Sequence, residues 1–249
     1  MRGSKYARFW EVDFIRGLAI IGMVLTHIIL DLERVGNMDV GIDSPYYDLF
    51  LDMGRMIFVF LCGISLSLSY SRWRALNWTD KKIINALLRR GAQLFFLGIL
   101  ITLLSAIFFP HYIIYFGILH LIGLSVIFSY PFLKNLKLNL FAAPLSIILG
   151  FWLHTIHVPF YYLFWIGLTP EGYQSVDFLP LFPAFGVVLL GAYLGRVLYP
   201  DYSRRFKIKD MTDITMVRWI SKAGRHTLFI YLLHQPVLLA LIFLFLMLI

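Results

Sequence analysis

The chain predicts an all-α, polytopic membrane helix bundle of about seven transmembrane helices with a cytoplasmic N-terminus. Apolar residues make up 60% of the 249 and charged residues only 14%, with a mean hydropathy of +0.78. Soluble domains run at about 45–50% and about 25%. The apolar residues gather into runs of about 20, enough to cross the hydrocarbon core. No barrel-like alternation is present, so the backbone must satisfy itself as helices. Lys and Arg concentrate in every second loop, as the positive-inside rule requires. At this length a single domain over 1–249 is expected.

The spans read, in order, as 11–32, 47–70, 89–109, 112–131, 138–156, 179–198 and 226–249. The first lacks a small-residue cleavage site and continues to spanning length, so it reads as a membrane helix and not a cleavable leader. Arg2, Lys5 and Arg8 precede it. The segment after span two carries Arg72, Arg74, Lys81 and Lys82, and Arg89 and Arg90 open span three. Lys134 and Lys137 follow span four, and a basic segment from Arg204 to Arg225 follows span six. The alternate loops are poor in Lys and Arg and hold Glu33, Asp39, Asp43, Glu171 and Asp177. With seven spans every basic segment falls on one side, which places the N-terminus in the cytoplasm and the C-terminus outside.

The remaining stretches are shorter or more polar. Segment 157–178, aromatic and too short to span, reads as interfacial or re-entrant on the outer side. Segment 200–225 reads as a cytoplasmic loop with a short helix. The net charge of +8 is then a matter of topology, and no nucleic-acid partner is expected. The lone cysteine, Cys62, excludes an intrachain disulfide and offers no cysteine cluster for a metal.

Span one carries a polar stripe. Asp13, Arg16, His27 and Asp31 share one face, because the 11 residues from Arg16 to His27 make about three turns and about 16 Å of rise. Ionisable groups in a membrane helix are costly and point to function by default. Asp31 follows His27 by one turn, where a carboxylate can orient and polarise an imidazole as a general base requires. In span two, Asp48, Asp52 and Arg55 also share a face, and Asp52 can pair with Arg55.

Three further groups stand out. His120 lies between Gly117 and Gly123, which would let a helix or ligand approach its ring. His234-Gln235-Pro236 sits where the proline removes a backbone donor, a feature of cavity-lining helices. Arg89 and Arg90, at a helix entrance, suit a phosphate-rich ligand by charge-assisted hydrogen bonds. His111, His154, His157 and His226 fall near the interfaces and read as solvated.

These residues carry a resemblance. Arg16 to His27 is similar to the first-helix motif of the acyltransferase-3 family, in which an arginine precedes a membrane histidine, held to be catalytic, by 11 positions. Arg16-Gly17-Leu18-Ala19-Ile20-Ile21-Gly22-Met23, Phe116 to Gly123 and Ile230 to Pro236 more closely resemble the heparan-α-glucosaminide N-acetyltransferase catalytic-domain group. The lysosomal member of that group carries its active histidine in a loop after its early helices. The 33–46 loop here has no histidine, so the catalytic role is carried onto His27.

The resemblance implies a membrane acetyltransferase that moves an acetyl group from cytoplasmic acetyl-CoA to an extracytoplasmic amino-sugar or glycan acceptor, without a metal. His27 would be the general base or be transiently acetylated, and Asp31 would orient it. Arg16 and Arg55 would position the cofactor arm or stabilise the oxyanion. His120, His234 and Gln235 would line the cavity, and Arg89 and Arg90 would hold CoA phosphates. A second copy of the chain is among the partners expected, and the setting is a prokaryotic plasma membrane. The alternative from another class is a small proton-coupled transporter, since buried Asp, Arg and His and a proline-broken helix also serve carriers.

The orientation is testable in a Cys62→Ala background. A cysteine replacing Glu171 should react with an impermeant maleimide in intact cells. One replacing Lys207 should react only after permeabilisation, and the reverse pattern refutes the loop assignment.

Overall fold

A computed structural model describes residues 8–36, 38, 45–110, 112–173, 175 and 177–248, apart from the side chains of Arg34, Pro45, Tyr46 and Asp48. Arg2, Lys5, Asp39, Asp43, His111 and the Asp48 side chain therefore lie outside the described residues. The helices are α1 (Trp10–Arg34), α2 (Pro45–Ala75), α3 (Asp80–Phe108), α4 (Ile118–Phe128), α5 (Tyr130–Lys134), α6 (Leu136–His154), α7 (Leu181–Leu198), α8 (Thr215–Arg225) and α9 (Thr227–Leu248). Two compact units arise: Met1–Phe58 with Ile208–Ile249, and Val59–Lys207.

Among the described residues six helices are long and apolar enough to cross a membrane: α1, α2, α3, α6, α7 and α9. Their surfaces invert the pattern of a soluble helix. On α6, Phe141, Leu145, Ile148, Phe151 and Trp152 are mostly exposed, while Ala143, Ser146 and Gly150 face inward. On α3, Phe96, Leu103 and Ile107 are exposed, while Gly91, Gly98 and Ser105 are buried. Large apolar side chains outward and small ones inward are what lipid demands, because close backbone packing rather than water exclusion joins helices there. The chain is thus an integral, multi-pass membrane protein.

The fourth predicted span is divided. α4 rises only about 16 Å, but α5 follows directly after Ser129, whose hydroxyl donates to the Val126 carbonyl at 2.7 Å. Polar contacts fix where the pair runs. Thr102 Oγ1 donates to the Ile114 carbonyl at 2.6 Å, which holds the segment before α4 at the C-terminal end of α3. Lys134 Nζ lies 2.7 Å from Asp80 Oδ2, which returns the end of α5 to the start of α3. The pair α4–α5 therefore runs beside α3 in reverse, in the place of the fourth predicted span.

Other boundaries moved for identifiable reasons. α3 starts nine residues before the predicted 89, because Thr79 caps it by accepting from the Lys82 amide at 3.4 Å and the charged first turns extend the helix past the apolar run. Arg72, Arg74, Lys81 and Lys82 are consequently on helix ends and not in a loop. Among its described residues, segment 157–178 holds no helix long enough to cross a membrane and contains the 3-10 turn Phe164–Ile166. The short helix expected in 200–225 is α8, and α9 continues unbroken past Pro236.

In the second unit α7 is the most enclosed of the long apolar helices, with Val188, Leu189 and Ala192 almost fully buried. A Cβ on Gly191 would meet the Phe60 carbonyl of α2 at 2.0 Å, and one on Gly186 would meet the Ala143 carbonyl of α6 at 2.6 Å. In the first unit α8 lies against α1 through Val217, Ile220, Ser221 and Gly224. A Cβ on Gly224 would stand 1.8 Å from the Asp13 carbonyl, and one on Gly17 would stand 2.0 Å from that of Ile220. Tyr47 at the start of α2 donates to the Thr26 carbonyl of α1 at 2.9 Å.

Since backbone atoms cannot yield at that crossing, Gly224→Val is expected to cost about 1–3 kcal/mol, the range for overpacking. It would be read as a lower midpoint in a thermal unfolding assay, with little change for Gly54→Ala, whose Cβ meets nothing.

Candidate functional site

The polar stripe of α1 resolves into two clusters within the first unit. Near its start, Asp13 is buried. Arg225 Nε of α8 donates to its Oδ2 at 3.1 Å, and Arg16 Nη1 lies 3.8 Å from its Oδ1. Arg16 also donates to the Gly224 carbonyl at 3.3 Å. The Arg-Gly pair of the motif thus has a structural explanation: Gly17 admits the backbone of α8, and Arg16 reaches a carbonyl of the same helix.

The second cluster lies toward the far end of α1, where α9 runs beside it. Asp31 is buried, and Gln235 Nε2 lies 2.9 Å from each of its carboxylate oxygens. Only the NH2 face of an amide can meet a carboxylate favourably, so this orientation of Gln235 follows from charge. The rings of His27 and His234 stand edge to face, with centroids 4.8 Å apart. His234 Nδ1 is 2.5 Å from the Tyr231 carbonyl. A carbonyl only accepts, so Nδ1 carries the hydrogen and a neutral His234 keeps its lone pair on Nε2. The fold therefore gathers His27, Asp31, His234 and Gln235, which are up to 208 positions apart in the chain.

Arg55 pairs with Asp52 one turn earlier on α2, with the Asp52 side chain mostly exposed. That matches the expected pairing. Arg89 and Arg90 belong to the second unit and are exposed on α3.

His120 is also in the second unit, where it is buried. It accepts from the Gly117 amide through Nδ1 at 3.3 Å, stacks on Phe116 at 5.3 Å and meets the edge of Phe95 at 5.2 Å. The glycine that makes room for its ring is Gly98 of α3, whose Cβ would sit 2.8 Å from Nδ1. Gly123 instead packs on Gly91, again from α3. The two-turn spacing of Gly91 and Gly98 was the overlooked signal: it marks one face of α3 as the partner of α4.

Two cavities of the second unit involve residues that sequence reasoning passed over. One, about 480 Å³, is lined by Tyr70, Ser71, Arg74, Lys134, Arg196 and Asp201 at the basic end. Arg196 lies over the Tyr70 ring, and Asp80 joins Arg74 and Lys134. The hydrogen bond from Lys134 to Asp80 holds its ammonium above the usual lysine range. Such cations, drawn from three helices, suit phosphate oxygens. The other, about 460 Å³, is lined by Tyr115, Tyr161, Phe164, Gly172 and Tyr173 at the opposite end. Burial pushes the Tyr173 phenol up, so it stays a neutral hydroxyl.

The Asp31–Gln235 contact should appear in a double-mutant cycle. Asp31→Leu and Gln235→Leu are each expected to lose about 1–3 kcal/mol of stability by stranding a buried partner. The double variant should lose clearly less than the sum, and strict additivity in unfolding midpoints would show the pair to be uncoupled.

Comparison with known proteins identifies the site's setting. The family model described as heparan-alpha-glucosaminide N-acetyltransferase, catalytic, matches residues 8–236. No curated protein and no solved structure matches the chain.

Proposed function

The chain belongs to the heparan-alpha-glucosaminide N-acetyltransferase catalytic family, a family of membrane acetyltransferases. From that membership we propose that it transfers the acetyl group of cytoplasmic acetyl-CoA to an amino-sugar or glycan acceptor across a prokaryotic plasma membrane. The observation that carries this reading is the meeting of His27 with His234, beside the buried Asp31 that Gln235 holds.

An imidazole in that setting is suited to general-base work. Its ordinary pKa lies near working pH, and it can take the proton that the acceptor must lose as it attacks a thioester. His27 is assigned that role, and Asp31, one turn on, orients it. The tetrahedral intermediate places negative charge on the former carbonyl oxygen, which favours a nearby donor or cation. Arg55 is assigned to the oxyanion or to the polar groups of the pantetheine arm. Arg16, by helix rise about 16 Å from His27, is assigned to the arm nearer the cytoplasm.

Arg89 and Arg90 take the CoA phosphates, with Arg74, Lys134 and Arg196 as a second set of cations on the same basic side. His120 lines the path, held by Gly117 and two phenylalanines. The acceptor approaches from the side of the Lys- and Arg-poor loops. N-acetylation follows the family's named activity, and a homodimer is among the assemblies the reading allows.

The test uses purified protein in lipid nanodiscs with radiolabelled acetyl-CoA. Wild type should bind it saturably and release acetyl to methyl β-D-glucosaminide. His27→Ala should bind it comparably while transfer falls about 10²–10⁴-fold, the usual loss of a general base. Full transfer by a folded His27→Ala, or no binding at millimolar acetyl-CoA by wild type, refutes the reading.

A further inference from the structure

The second cluster contains two buried acceptors in search of donors. His234 Nε2 and Gln235 Oε1 are both shielded from solvent, and neither has a hydrogen-bond partner among the described residues. Their roles as acceptors follow from what their other ends do. His234 Nδ1 is spent as a donor on the Tyr231 carbonyl, and Gln235 Nε2 is spent on both oxygens of Asp31. Gln235 cannot turn over without setting oxygen against oxygen at Asp31, and a neutral His234 cannot carry its hydrogen on Nε2 instead without setting the Nδ1 lone pair against the carbonyl of Tyr231.

A buried acceptor left unmet is costly, and here two occur on consecutive residues. Both face the chemistry of a ligand that brings hydrogens and no lone pair of its own. The carboxylate of Asp31, held by the amide of the same Gln235 side chain, adds negative charge beside that residue. The His27 ring stands against that of His234, edge to face with centroids 4.8 Å apart.

We propose that His234 Nε2 and Gln235 Oε1 form the seat of the acceptor's attacking group, each taking one hydrogen from a primary amine bound as ammonium. This rests on the acetyltransferase reading and changes what the pair does there: it grips the acceptor rather than lining the path of the cofactor. A hydroxyl has one hydrogen and fills half of the seat, whereas an ammonium fills both acceptors and presents its third hydrogen to His27. The step balances. His27 removes one proton, and the amine nitrogen forms the C–N bond to the thioester carbon. The C–S bond breaks, and the second proton goes to the departing sulfur. The products are the amide, CoA thiol and protonated His27.

The experiment compares wild type, His234→Ala and Gln235→Leu in nanodiscs free of sugar-headed detergent, titrating acetyl-CoA and methyl β-D-glucosaminide separately. Loss of a hydrogen bond to a charged group is worth about tenfold or more in affinity. The acceptor KM should therefore rise about tenfold or more in each variant while the Kd for acetyl-CoA stays within about twofold. An unchanged acceptor KM, or a loss confined to acetyl-CoA binding, overturns the assignment.

Wild type decides the matter independently of how the variants fold. In histidine-labelled protein the nitrogen-15 resonance of His234 Nε2 should move on addition of methyl β-D-glucosaminide and stay in place with methyl β-D-glucoside. No movement with the amine, or equal movement with both, overturns it. Failure of wild type to bind acetyl-CoA would instead refute the acetyltransferase reading, and the resonance would still report whether the seat takes an amine.

Discussion

Buried carboxylates on one membrane helix set the terms for everything packed around it. α1 carries Glu11, Asp13 and Asp31 out of solvent, and a carboxylate removed from water must find hydrogens or a cation from the protein. For Asp13 these come from α8, which lies across α1 at glycine-to-carbonyl distance and delivers Arg225. For Asp31 they come from α9, through Gln235. The two helices that follow the basic loop are thus tied to the first helix of the chain by the acids it buries. The imidazoles of His27 and His234 come together as a consequence.

The two clusters on α1 differ in how their polar groups are met. The Asp13 cluster pairs opposite charges near the start of α1 and satisfies a backbone carbonyl with Arg16. That is the arrangement of a helix junction. The Asp31 cluster uses its donors on fixed partners and leaves acceptors over, an imbalance that costs stability unless a ligand corrects it.

The second unit solves a different problem. Its helices approach through Gly63, Gly91, Gly123, Gly186, Gly191 and Gly195, with large side chains turned outward. His120 belongs to this packing as much as to any path for a cofactor, since Gly98, Phe95 and Phe116 enclose its ring. The cations of Arg74, Lys134 and Arg196 converge on one cavity although the chain separates them by up to 122 positions. Loop charge assigned Arg74 and Lys134 to one side of the membrane but did not single out Arg196 or their meeting with it.

Much was legible from composition and periodicity, because lipid leaves few choices: runs of about 20 apolar residues must be helices, and their flanking charges must sort by side. The stripe of Asp13, Arg16, His27 and Asp31 was legible for a related reason, since residues on one helix keep a fixed 3.6 period. The division of the fourth span into α4 and α5 was not, because the Lys134–Asp80 and Thr102–Ile114 contacts that place it link distant positions. Nor was the choice of partners. Sequence put Asp31 one turn from His27, but only packing could bring Gln235 to that carboxylate and His234 to that imidazole. Local spacing determines which side chains share a helix face, whereas the close approach of a second backbone determines what each of them touches.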